Sequence, residues 1–175
     1  MYMNPVFHNR DFCHRNCSLT CEHQGRLPGI KSAVSQRGTC SPRVTPRLAT
    51  LAAAQYHGPV YIRLGRNSNH VVHDQDVKFE IGKMIVLREG CDVTLIATGR
   101  CVEQALIAAE KQALTGIQAR VLDCHTIKPV DSAEILRTAQ ETAGIVTAED
   151  HNIIGGLGGA ECEVVASECP PWSEE

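Results

Sequence analysis

Glu149, Asp150 and His151 stand in a row behind an apolar run. Two carboxylates beside an imidazole are residue types of proton transfer, because neighbouring charges displace one another's pKa values. No nucleophile stands at a matching spacing, so loop hydrogen bonding or an interface is the expected role of the three, and no catalytic residue is assigned. Arg66 is a second candidate, just past a short apolar run and Gly65. A guanidinium placed there could hold a phosphate through two parallel hydrogen bonds, although a surface arginine is the plainer reading. Gly155, Gly156, Gly158 and Gly159 open a further apolar segment, and a glycine-rich turn at a helix N-terminus can cradle phosphate. Here no Lys-Ser or Lys-Thr pair follows them, and they do not follow a strand directly. Their expected use is close approach of helix and sheet. Cys13, Cys17 and Cys21 with His23 are zinc-ligand types, but the Cys-x2-Cys knuckle is missing, so no metal site is expected. His70 and His73 lie in a polar stretch and read as solvated loop side chains.

The elements that must position these residues begin with 92–99, a run rich in β-branched residues with no charge after Asp92. Such a run reads as a strand covered on both faces. Val102, Ala105, Leu106, Ala109 and Ala113 then recur at helical spacing, so a helix is expected to fold back over the sheet, ended by Gly116. Further strands are expected at 60–64, 84–87, 118–124 and 144–148. The short link at 88–90 makes the strand at 84–87 antiparallel to the next if the two are neighbours. Asp131 with Glu134 is a capping-box pattern opening a helix through Ile135, Leu136 and Ala139. A last helix carries Val164, Val165 and Ala166. Strand, turn and returning helix are the unit of an α/β domain, so the fold class is α/β, a three-layer domain with a mixed, mostly parallel sheet.

Composition limits the rest. At 175 residues and 43% apolar content, the chain has room for one ordinary domain, or one small domain and part of another. No apolar run approaches the roughly 20 residues that cross a bilayer, and no secretory signal is visible, so a cytoplasmic protein with no membrane partner is expected. Net charge is -3, with a basic excess before Pro46 (Arg10, Arg15, Arg26, Lys31, Arg37 and Arg43 against Asp11 and Glu22). Few aromatics accompany these charges, so no nucleic-acid partner is expected. Residues 1–46 show no sustained periodicity and are expected to be irregular or non-native.

Four stretches together resemble the transketolase family in order and spacing: Gly-Pro-Val-Tyr-Ile-Arg-Leu-Gly-Arg at 58–66, Leu-Arg-Glu-Gly-Cys-Asp-Val-Thr-Leu-Ile-Ala-Thr-Gly at 87–99, His-Thr-Ile-Lys-Pro-Val-Asp at 125–131 and Glu-Asp-His-Asn-Ile-Ile-Gly-Gly-Leu-Gly at 149–158. The likeness runs over about 47–170 and is greatest to the separately encoded C-terminal subunit of split transketolases. Deoxyxylulose-phosphate synthase and the beta subunit of 2-oxoacid dehydrogenases share this domain, and Arg63 to Arg66 favour transketolase.

The resemblance implies a division into 47–66, the last helix and strand of a pyrimidine-binding domain; 67–78, a linker; 79–170, a truncated C-terminal domain; and 171–175, a tail. It implies an enzyme of pentose-phosphate metabolism that moves a two-carbon ketol unit between sugar phosphates, with thiamine diphosphate and magnesium in the assembled form and none on this chain alone. Its partners would be an N-terminal transketolase subunit and a second copy of this subunit. Arg66 falls on the family's substrate-phosphate arginine. The cofactor-activating glutamate has no counterpart, so the chain alone is expected to be inactive. The expectation for 1–46 is then a gene fragment read out of frame. The chain also stops before the family's final strand and helices, which would leave an unpaired sheet edge. The alternative is a non-catalytic interaction or regulatory module of the same fold.

Overall fold

The computed structural model describes residues 2–7, 32–36, 45–64, 72–73 and 76–168. The elements run β1 (Tyr2–Phe7), β2 (Ser32–Gln36), α1 (Thr45–Gln55), β3 (Val60–Leu64), β4 (Ile85–Arg88), β5 (Val93–Ala97), α2 (Cys101–Ala113), β6 (Ala119–Asp123), β7 (Thr126–Lys128), α3 (Ser132–Glu141), β8 (Gly144–Glu149) and α4 (Leu157–Glu168). One sheet has the order β1-β8-β5-β6-β4 and a smaller one the order β3-β2-β7.

The charge-free run after Asp92 is the centre of the larger sheet, with β5 parallel to both β6 and β8. Its side chains alternate between two cores, as the two-residue period of a strand demands. Ala97 of β5 and Val121 of β6 pack with Cys101, Val102, Ala105 and Ala109 of α2. Ile96, Leu122 and Ile145 face the opposite way, onto Ile135 and Ala139 of α3 and Leu157 of α4. Helix, mixed sheet and helix pair are the three expected layers. Ile96, Leu122, Ile135 and Leu157 are fully buried, each stabilising the fold by about 1.5–3 kcal/mol relative to exposure.

The helix ends follow local chemistry. Asp131 Oδ1 accepts the Glu134 N–H at 3.3 Å, the cap that the pattern predicts. Gly116 has φ +89°. Beside it the Ile117 N–H reaches Gln112 O at 3.1 Å and the Gly116 N–H reaches Ala113 O at 3.1 Å, a Schellman closure of α2 that needs a left-handed residue.

Residues 1–46 contain regular structure: β1 pairs antiparallel with β8, and β2 lies parallel to β3 and antiparallel to β7. These strands are defined by pairing with distant backbone, which local periodicity does not register. Residues 8–31 and 37–44, with Cys13, Cys17, Cys21, His23 and Cys40, lie outside the described ones. The edge of β8 is covered by β1. β4 lies beyond β6 and antiparallel to it, so β4 and β5 are not neighbours and the sheet is mixed, as expected. The link between β4 and β5 crosses the start of β6 at Gly90, where an added Cβ would lie 2.6 Å from Gln118 O. Only a glycine lets backbone pass backbone so closely.

Candidate functional site

In open α/β sheets ligands collect beyond the carboxyl ends of parallel strands. Here those ends present Thr98 after β5, Asp123 to Thr126 after β6, and Glu149 to His151 after β8.

The structure separates the three residues of the predicted acid/base row. Glu149 is 8% exposed and turns under the glycine-rich segment, where its Oε1 accepts the Gly158 N–H at 3.3 Å. A Cβ on Gly156 would stand 2.5 Å from Asn152 O and 2.6 Å from Glu149 Oε2, and one on Gly158 3.0 Å from Thr147 Oγ1. The glycines therefore bring helix to strand and make room for this carboxylate. An anion of the chain itself sits at the start of α4, where a phosphate would otherwise be attracted by N–H groups and the helix dipole. Asp150 and His151 are exposed. Arg66 and His70 lie outside the described residues, two and six positions past the end of β3.

Around β6 the sequence misses a buried cluster. His73, expected in solvent, is 3% exposed, and its Nε2 lies 2.8 Å from Asp123 Oδ2. His125 is 1% exposed, pairs through Nδ1 with Thr126 Oγ1 at 2.9 Å, and stacks on Phe79 with ring centroids 4.2 Å apart. Its Nε2 is buried with no hydrogen-bond partner among the described residues. Burial pushes the His125 imidazole down, the Asp123 carboxylate pulls it up, and His73 adds a further downward push.

Glu161 on α4 is the other residue not foreseen. It is 1% exposed, and neither carboxyl oxygen has a hydrogen-bond partner among the described residues. Burial, and after it the charge of Glu149, push its carboxyl well above the usual range. Its signal was present in the sequence, since Leu157, Glu161, Val164 and Val165 share one helical face. Burial raises the Cys124 thiol, with Glu161 the next cause, and burial also raises that of Cys101, with Asp150 the next cause. Both thiols are held away from the reactive thiolate form.

Among the described residues no three His, Cys, Asp or Glu side chains converge as a metal site. The fold and site define a class: a three-layer α/β domain with a partly buried polar cluster, His73, Asp123, His125 and Glu149, at the carboxyl ends of its parallel strands. The pattern of the transketolase C-terminal domain matches residues 82–170, and the chain belongs to that family. It is 48% identical over 115 residues to a 6-deoxy-6-sulfo-D-fructose transketolase subunit of Clostridium sp. (strain MSTE9), covering 66% of this chain and 36% of that protein. It is 46% identical over 116 residues to a putative transketolase C-terminal section of Methanocaldococcus jannaschii, covering 65% and 36%. An apulose-4-phosphate transketolase subunit of Phocaeicola vulgatus is 41% identical over 133 residues, covering 75% and 42%. Among solved structures, a split-gene transketolase in an inactive beta4 tetramer superposes with a TM-score of 0.76 at 40% identity, covering 83% of this chain and 47% of that one. The chain thus spans under half the length of each of these proteins.

Proposed function

We propose that this chain is the C-terminal portion of a split transketolase, which together with an N-terminal subunit and a second copy of itself transfers a two-carbon ketol unit between sugar phosphates in the cytoplasm. The single observation that carries this reading is the family match over 82–170 on a fold shared with a split-gene transketolase. Two of the named relatives are transketolase subunits whose named sugars bear a sulfo group or a phosphate. Arg66 belongs to this reading as the residue that grips such a tetrahedral anion, for which a planar guanidinium fork is suited. Residues 47–66 are then the end of the pyrimidine-binding domain, and 67–78 the link to the C-terminal domain.

Thiamine diphosphate and magnesium do not fit the described residues of this chain. The start of α4 is held by Glu149. At the start of α2 the Cys101 and Val102 N–H groups are spent on Thr98 O and Gly99 O, at 3.3 and 3.2 Å. Neither terminus has a free nest for a diphosphate, so no step through the cofactor is assigned to this chain.

Titration calorimetry with thiamine diphosphate and magnesium tests the reading. No heat is expected from the chain alone, and saturable binding is expected once an N-terminal transketolase subunit is added. No binding in either mixture would favour the second reading, a non-catalytic interaction module of the same fold.

A further inference from the structure

The buried pair of His73 and Asp123 is used by nothing described so far. His73 is not part of either sheet. It belongs to the segment between β3 and β4, while Asp123 is the last residue of β6, in the middle of the domain. Their Nε2 to Oδ2 distance is 2.8 Å, with side-chain exposures of 0% and 4%. A histidine and a carboxylate removed from water together hold each other, because separating them leaves a buried charge without compensation. Val72, one residue earlier, packs against the core formed by Ala97, Val102 and Val121. Phe79, further along the same segment, stacks on His125, two residues past Asp123. Three side chains of one connecting segment thus converge on the carboxyl end of β6.

That corner also meets the small sheet. β7 begins at Thr126 and pairs with β2, which pairs with β3. From Leu64 at the end of β3 to Val72 there are eight residues, which span at most about 28 Å when extended. Anchoring Val72 and His73 therefore limits where the carboxyl end of β3 can lie.

We propose that His73 and Asp123 form a buried latch, completed by Val72 and Phe79, that holds these connecting residues against the C-terminal domain and so limits where the carboxyl end of β3 can lie. The pair acts through position and touches no reacting atom. Its effect on substrate rests on the split-transketolase reading; the latch itself does not.

Hydrogen exchange of the full chain, followed by mass spectrometry, separates these. His73→Ala is expected to speed exchange in peptides covering 65–78 by about tenfold or more, as local opening does, while β5 and β8 stay protected. His73→Gln, which keeps an N–H donor for Asp123, is expected to restore most of the protection. If His73→Ala unfolds the domain, Asp123→Asn is read instead, with a smaller acceleration confined to 65–78. Unchanged exchange in 65–78 with β5 and β8 intact overturns the latch. With the N-terminal subunit present, His73→Ala is expected to raise KM for the sugar phosphate more than it lowers kcat, and His73→Gln to reverse this. Faster exchange with unaltered KM overturns the positioning role. A wild-type assembly with no activity defeats the enzyme reading, and exchange still decides the latch.

Discussion

At the scale of single residues, Glu161 carries the clearest consequence. Its carboxyl is buried on the face of α4 that carries Leu157 and Val164, with neither oxygen satisfied among the described residues, and burial keeps it protonated. In the unfolded chain a glutamate ionises near pH 4.3. Above that pH the folded state therefore binds the extra proton, and stability falls as pH rises toward the raised folded value. The contribution is complete only below the unfolded pKa. Glu161→Met, of similar length and apolar, is expected to flatten this decline between pH 5 and pH 8 in urea titrations. At pH 8 it should add roughly 1–3 kcal/mol, the cost of a buried unsatisfied group. An unchanged slope, or a loss of stability at pH 8, would mean that the carboxyl is satisfied in the folded chain. The burial of His73 and of Glu149 is hidden from the sequence for a common reason. Both have the polarity of solvent-facing residues, and only a partner distant in sequence, or glycines folded over it, makes either one buriable.

At the scale of elements, Asp131 joins two parts of the domain. One of its oxygens caps α3 through Glu134 N–H, and the other accepts the Met84 N–H at 3.1 Å at the entrance to β4, with Lys83 Nζ 3.4 Å away from the capping oxygen. Asp131→Ala removes the cap, at about 1 kcal/mol, and strands the Met84 N–H. A total loss of about 2–3 kcal/mol is expected from urea denaturation. Asp131→Asn, which keeps one acceptor, should lose less. Equal losses for the two variants would argue that the Met84 contact contributes nothing. The cap was legible because Asp131 and Glu134 are three residues apart, whereas Met84 is 47 positions away and has no local signature. Strands β5, β6 and β8 and helices α2, α3 and α4 were legible in the same way, each by its own period or terminus.

At the scale of the whole molecule, the sheet is closed at one edge by the first residues of the chain. β1 pairs with β8 over six positions, from Tyr2 opposite Glu149 to Phe7 opposite Gly144. An uncovered edge of the apolar strand β8 would offer its backbone to another chain. Pro5, which has no N–H, suits β1 to an outermost place. Deleting residues 1–7 is expected to convert the protein to larger species in light scattering and to speed exchange in β8. A synthetic Met-Tyr-Met-Asn-Pro-Val-Phe peptide should reverse both changes. If the shortened chain keeps its mass and its β8 protection, β1 does not guard that edge.

The sequence by itself determined the α/β alternation, the two-faced burial of β5, the cap at Asp131, the left-handed turn at Gly116 and the likeness to the transketolase C-terminal domain. Each of these is written within a few residues, as a period, a cap or a motif. Tertiary structure alone decided that β4 lies beyond β6, that β1 and β2 are strands, and that Glu149 faces inward. It also decided that His73 finds Asp123. These outcomes depend on which distant backbone or side chain supplies a hydrogen bond or excludes water, and a polar residue has no preference for burial until that partner is in place.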